Sequence, residues 1–234
     1  MDGATRDVIV SAEHVSGFFV DEEDETEVVF RGVHQMGVTR KSEEGLLEVR
    51  DHRQEKIGEY YAGRVVRNDA AAEQSGNVVI GVPFRVFSNR CEVPQADEIW
   101  RRWASGVPLE PGEWSLRSVS YVEAWLHVVQ NSWFSSWRAA ACLGVDGTAR
   151  LDGAQFSTRA GFYCALGEAV NGPGGYFGSN LDALVDCLRS SDAEQRLKRL
   201  EWRDFVQSER ALGDGFMKTV AEIMREYSVD LVKR

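Results

Sequence analysis

The spacing of apolar residues divides the chain into a strand-rich first part and a helical part that follows it. Before Pro94, β-branched and aromatic runs alternate with charged or glycine-containing turns, which predicts strands at 7–10, 17–20, 27–33, 46–50, 57–67 and 77–82. The segment 45–68 predicts a hairpin with its connection around Asp51–Lys56. After Pro94, apolar residues recur every three or four positions in QADEIWRRWASG and YVEAWLHVVQNSWFSSW, which predicts helices. Residues 1–145 are therefore expected to form an α+β domain of unknown type, strand-rich and then helical.

From residue 149 the elements alternate. A strand in ARLDG precedes helices at 157–170 and 179–190, followed by a strand in KRLEWRDF, a helix in DGFMKTVAEIMREY and a strand in VDLVKR. This order predicts a small parallel sheet covered by helices, an α/β fold, over residues 149–234. The segment Gly144–Thr148, which contains two glycines and an aspartate, is the best candidate for the boundary.

The cysteine and histidine positions indicate neither a metal centre nor a disulfide scaffold. The four cysteines are widely spaced without a CxxC pair, and the four histidines lack the close spacing of a metal pair. The acidic run Asp21–Glu27 lacks the alternating ligands of a calcium loop, so a solvated loop is expected there. The start of the chain resembles no signal peptide, and no apolar run approaches the roughly 20 residues that span a bilayer. We expect a cytoplasmic protein with reduced thiols, no cofactor and no membrane contact.

The net charge of −10 disfavours nucleic acid as a partner, because a basic surface is needed to displace counterions from phosphates. The same charge is compatible with a cationic protein partner. Most of the negative charge lies before residue 149, and residues 149–234 are almost neutral. A partner of the C-terminal part must therefore be attracted by a local acidic patch.

The most informative stretch is PGGYFGSNLDALVDCL, residues 173–188. Its glycines permit a tight loop that displays Tyr176 and Phe177. Ser179 or Asn180 can cap the helix that follows.

On that helix Asp182 and Asp186 are four residues apart, so their side chains point to the same side, opposite the leucine face. Spacing alone is also compatible with a solvated helix face, because an aspartate in the first turn complements the helix dipole. Nothing nearby indicates a nucleophile or a metal, which disfavours a general acid–base pair.

This stretch resembles the signature loop and helix of the barstar family, Tyr-Tyr-Gly-x-Asn-Leu-Asp-Ala-Leu-Trp-Asp-Cys-Leu. The residues that follow the pattern are Tyr176, Phe177, Gly178, Asn180, Leu181, Asp182, Ala183, Leu184, Asp186, Cys187 and Leu188. LEWRDFVQS is similar to the family's central strand and turn, VAEIMRE to its last helix, and DGAQF to the end of its first strand. The resemblance covers about residues 149–234, in order.

The resemblance implies a three-stranded parallel sheet with helices, and one-to-one inhibition of a microbial ribonuclease or related cationic toxin. Six residues are implied to face the toxin: Asp182, Asp186, Tyr176, Gly178, Asn180 and Glu226. In this interpretation Asp186 enters the phosphate position of the enzyme, Asp182 pairs with basic residues at its edge, and Tyr176 packs on the rim. The chain would then be an inhibitor or immunity protein without catalytic residues.

The site helix departs from the family pattern at two positions. Val185 stands where the family often has tryptophan, and Arg189 lies on the same side of the helix as Asp186. Arg189 and the nearly neutral charge of residues 149–234 leave an alternative open, a non-inhibitory interaction scaffold that retains the barstar-like fold. A third hypothesis, that residues 1–145 form an enzyme, finds no phosphate-binding loop, metal spacing or nucleophile motif to support it.

Overall fold

The computed structural model describes residues 7–21, 27–37, 43–68, 73–75, 78–86, 90–136, 147–190 and 196–234. The chain divides into two compact units: unit 1 comprises Met1–Glu48 and Glu59–Asp97, and unit 2 comprises Val49–Gly58 and Glu98–Arg234. The division into domains 1–145 and 149–234 stays a prediction, since unit 2 also contains residues that precede 149. Most of the acidic run 21–27 and of the segment 144–148 lies outside the described residues.

The first six strands form one sheet. Its order is β1-β2-β6-β4-β3, with β5 paired to β6. The strands are β1 Val10–Ser16, β2 Val28–Met36, β3 Glu43–Arg50, β4 Lys56–Arg67, β5 Glu73–Ser75 and β6 Val78–Val86. The predicted hairpin is confirmed, because β3 and β4 are neighbours and the Asp51 amide donates to the Glu55 carbonyl at 2.9 Å. The predicted strands 7–10 and 17–20 are wrong, because the pairing with β2 runs from Val10 to Ser16 between them.

Unit 1 has a small core on this sheet. Phe18, Val28, Ala62 and Cys91 are buried there, and partly buried apolar side chains surround them. The Phe18 ring lies 5.2 Å from Phe19 in an edge-to-face arrangement, a favoured geometry for aromatic pairs. The strand-rich part of the chain therefore has an apolar cluster of its own.

The rest of the chain is helical and then α/β. The elements are α1 Ala96–Ala104, α2 Val119–Ser135, β7 Thr148–Asp152, a 3-10 turn Gly153–Gln155, α3 Arg159–Asn171, α4 Leu181–Ser190, β8 Arg199–Arg203, α5 Phe205–Leu212, α6 Asp214–Glu226 and β9 Asp230–Lys233. β7, β8 and β9 form a separate three-stranded sheet in that order, and both pairings are parallel. The α/β fold with a three-stranded parallel sheet is confirmed.

The core between this sheet and its helices is aromatic at its centre. The Trp202 ring is fully buried and stacks on Phe162, with centroids 5.2 Å apart. Its indole N–H donates to the Ser208 hydroxyl at 2.9 Å, so the buried polar atoms of both side chains are satisfied. The apolar faces expected for the helices are buried at Leu166, Leu184, Leu188, Val220 and Met224.

No helix in the described ranges is long and apolar enough to cross a membrane. Within the same residues, no group of three or more histidine, cysteine, aspartate or glutamate side chains is arranged to hold a metal ion.

Candidate protein-binding site

The loop between α3 and α4, residues 172–180, is held tightly against its neighbours. Its backbone approaches α3 so closely that a Cβ on Gly175 would lie 2.7 Å from the Gly167 carbonyl oxygen. Gly178 has a φ of +100°, and a Cβ there would lie 2.9 Å from the Leu184 amide nitrogen. Glycine is required at this position both for the backbone conformation and for the contact with α4. The loop therefore has a fixed shape where it leads into the helix.

Asn180 caps α4. Its side-chain oxygen accepts from the Ala183 amide at 2.8 Å, and its carbonyl accepts from the Leu184 amide at 2.9 Å. The first bond satisfies a first-turn donor that lacks a partner within the helix, and the second is the first regular hydrogen bond of the helix. Asn180 itself is exposed. Of the two capping residues that the sequence allows, the structure uses Asn180.

Asp182 and Asp186 lie on the exposed side of α4, while Leu184 and Leu188 are buried beneath it. The side chain of Asp186 is 75% exposed. Among the described residues, no cation lies within 4.0 Å of the Asp182 carboxylate. The spacing of four residues thus places two hydrated carboxylates on one helix face, as expected from the sequence.

Arg189 brings a positive charge to the same face. Its guanidinium lies 3.9 Å from Asp186 and donates to the Tyr227 hydroxyl at 3.4 Å. The hydrogen bond with Tyr227 raises the pKa of Arg189, and the charges of Asp186 and Glu226 raise it further. Glu226, at the end of α6, is exposed, as Asp186 is.

Tyr176 lies inside the protein. It is 3% exposed, and its ring contacts the rings of Trp133 and Phe134 of α2, with centroids 5.9 and 5.6 Å away. Burial raises the pKa of Tyr176, and its hydroxyl lies 3.5 Å from that of Ser179. The toxin-facing role expected for Tyr176 stays a prediction, and a partner would reach this ring only if the α2 aromatics moved aside.

A partly buried carboxylate joins this loop to the segment before α2. Glu168 of α3 accepts from the Gly112 amide at 2.8 Å and from the Trp114 indole N–H at 3.0 Å. The Gly174 amide, at the start of the loop, lies 3.5 Å from the same carboxylate. Burial raises the pKa of Glu168, and these hydrogen bonds oppose that rise.

Cys187, beside Asp186, is a buried, reduced cysteine. Burial raises its pKa to about 12, and the Asp186 charge contributes in the same direction. A thiol with so high a pKa stays protonated at neutral pH and is a poor nucleophile. Its place in this site is that of a small apolar side chain under α4.

Sequence reasoning missed three groups around this site: the α2 aromatics, Glu168, and Tyr227 as a partner of Arg189. The pair Trp133–Phe134 lies in a segment that the apolar spacing predicts to be helical, but nothing local indicates which loop it covers. Glu168 lies in an otherwise apolar helix, and such an isolated carboxylate is the signal that could have drawn attention to it.

The fold and the site together define a small α/β domain that displays an acidic, capped helix and the glycine-rich loop before it. Residues 147–233 match the family model described as Barstar (barnase inhibitor), so this part of the chain is similar to that family. The resemblance stated from the sequence over 149–234 is thereby confirmed. The family is one of inhibitors and not of enzymes. A comparison with curated proteins found no match to the chain.

Proposed function

We propose that this chain inhibits a ribonuclease of the barnase type by covering the enzyme's active site with α4 and the loop before it. The observation that carries the proposal is the pair of exposed carboxylates, Asp182 and Asp186, on the outer face of α4 in a barstar-like domain. In this proposal the chain has no catalytic activity of its own.

The electrostatic reasoning concerns the enzyme's phosphate site. A ribonuclease holds phosphate with cationic side chains, and a carboxylate can bind the same side chains through charge-assisted hydrogen bonds. Asp186, with its side chain 75% exposed, is the group we assign to that position. Asp182 and Glu226 are assigned to basic residues around it, and Gly178 and Asn180 to contacts of the loop backbone and cap.

The rigidity of the site supports the same role. Gly178 and the Asn180 cap fix the loop and the start of α4 in the free protein. An inhibitor whose binding surface is already ordered loses less conformational entropy when it binds.

We also propose that the protein acts in the bacterial cytoplasm as an immunity protein, in a one-to-one complex. Within the described residues, Cys91, Cys164 and Cys187 are reduced and form no disulfide, which is usual in a reducing compartment. A cell that makes a secreted ribonuclease needs the inhibitor on the inside, where its own RNA is exposed.

The test is a titration of purified barnase with the full chain, with RNA hydrolysis as the readout. The wild-type chain is expected to abolish hydrolysis at about one equivalent. Asp186→Asn removes one charge without changing the size of the side chain, and we expect it to weaken binding by about thirtyfold or more.

Asp204→Asn is the matched control, because it removes the same charge elsewhere. The Asp204 carbonyl borders Gly153, which comes shortly before α3 in the chain. The site begins after α3, and the 13 residues of this helix span about 20 Å along its axis. Failure of the wild-type chain to inhibit barnase, or equal inhibition by the two variants, would overturn the proposal.

A non-inhibitory scaffold is the second candidate, and Arg189 favours it. Its guanidinium stands 3.9 Å from Asp186 and offsets part of the negative charge that a cationic enzyme would meet. A scaffold would bind its partner equally well with Asp182→Asn and Asp186→Asn, and it would leave barnase active.

A further inference from the structure

Phe134, at the end of α2, is the one phenylalanine or tryptophan among the described residues that is largely exposed, at 60%. Its neighbour Trp133 is only 9% exposed. Single exposed apolar side chains are common on protein surfaces and by themselves indicate nothing. The position of Phe134 is what makes it informative, because its ring packs on the buried ring of Tyr176.

This contact joins α2 to the site on α4. The Tyr176 hydroxyl lies 3.5 Å from Ser179, directly before the helix cap. The Tyr176 ring thus lies between Phe134 of α2 and the residues that begin α4. Phe134 therefore borders the same surface as α4, with Tyr176 beneath the junction.

We propose that Phe134 makes the aromatic contact with the cationic ribonuclease that the family pattern would assign to Tyr176. The inference rests on the proposed inhibitory function. Tyr176 is covered, and the ring that covers it faces solvent next to an acidic helix. An exposed aromatic face attracts arginine and lysine side chains, and aromatic residues are enriched in protein interfaces.

The proposal assigns part of the binding surface to a segment outside the barstar-like domain. Phe134 precedes the first matched residue, 147. The ribonuclease that this chain prefers then depends on α2 as well as on α4.

The first experiment compares two apolar truncations in the full chain. Phe134→Ala is expected to weaken binding to barnase about tenfold, the effect of a moderate interface residue. Leu116→Ala is the control, because Leu116 is 97% exposed and precedes α2, whose 17 residues span about 25 Å. It should leave the Kd unchanged. Urea unfolding of each variant shows whether folding is affected.

The second experiment separates a direct contact from a disturbance of Tyr176. Phe134→Lys and Phe134→Glu disturb the packing on Tyr176 to a similar extent but carry opposite charges. Contact with a cationic partner predicts that the lysine variant binds more weakly than the glutamate variant, with a difference that shrinks as salt is added. Phe134→Tyr should restore binding to nearly the wild-type level.

The outcomes distinguish this inference from the proposed function. If the wild-type chain leaves barnase active, both the proposed inhibitory function and the role of Phe134 are overturned. A different result is that the wild-type chain inhibits barnase and Asp186→Asn weakens this inhibition, while Phe134→Ala and Leu116→Ala bind barnase with the same Kd. That result refutes only the role of Phe134. Equal binding by the lysine and glutamate variants also refutes it.

Discussion

Replacement of Glu168 by alanine should destabilise the part of the chain that carries the site. The carboxylate receives hydrogen bonds from the Gly112 amide at 2.8 Å and the Trp114 indole at 3.0 Å, and Trp114 is 1% exposed. The 3.5 Å approach of the Gly174 amide is too long to count as a strong bond. Alanine leaves two N–H donors without their acceptor.

The magnitude follows from these two bonds. A hydrogen bond to a charged group contributes about 1.5–3 kcal/mol, and an orphaned buried donor costs a similar amount. Burial of the charged carboxylate, which raises the pKa of Glu168, costs free energy. Alanine avoids this cost, and the gain offsets part of the loss in stability. We therefore expect the free energy of unfolding to fall by about 2–4 kcal/mol.

The assay is urea unfolding followed by tryptophan fluorescence and by circular dichroism, since coincident transitions justify a two-state free energy. Glu222→Ala is the control, because Glu222 is an exposed glutamate on α6 and should change stability by less than about 0.5 kcal/mol. A loss below about 1 kcal/mol for Glu168→Ala would show that this carboxylate does not hold the two segments together.

The same group has a predictable pH dependence. Because burial raises the pKa of Glu168 above its usual 4.5, the folded chain binds the proton more tightly than the unfolded chain does. The resulting stabilisation is fully present below pH 4.5 and is lost as the pH rises through the raised pKa. Glu168→Gln lacks this titration. The stability of the wild-type chain relative to this variant should therefore fall over that range, and a rise would contradict the assignment.

Two further predictions concern the site. Gly178→Ala should lower the free energy of unfolding by about 2 kcal/mol or more, because alanine is strained at a φ of +100° and its Cβ would press on α4. Gly215→Ala, with nothing within 4 Å of its added Cβ, is the control, and an equal effect on urea unfolding would argue against strain. Arg189→Ala should speed association with barnase a few-fold at low salt, because it removes the cation beside Asp186. Arg210→Ala controls for net charge in stopped-flow measurements, and slower association of Arg189→Ala would contradict this prediction.

The site helix was predictable because its determinants are local. The cap at Asn180 and the four-residue spacing of Asp182 and Asp186 depend only on neighbours along the chain. The parallel sheet was predictable for a related reason, since the order of strands and helices leaves few ways to connect them.

The short helix α5 was missed because its signal is weak. It has eight residues and follows β8 through Asp204, which adopts a left-handed conformation with a φ of +49°. Its buried positions are Phe205, Ser208 and Leu212, and the polar serine interrupts the apolar spacing that predicts a helix. Ser208 is buried because it pairs with Trp202, a contact invisible in the local pattern.

The burial of Tyr176 could not be predicted either. Its cover comes from Trp133 and Phe134, which precede it by more than 40 residues in the chain. The sequence indicates that each segment has an apolar side but not which segment packs on which. The same holds for β1, whose limits are set by its register with β2.

The Asn180 cap has a consequence for the heat of complex formation. Because the Ala183 and Leu184 amides are already bonded in the free chain, docking forms no new helical turn here. Calorimetry of the complex should then give a heat-capacity change that matches the apolar area covered, without the excess that coupled folding adds.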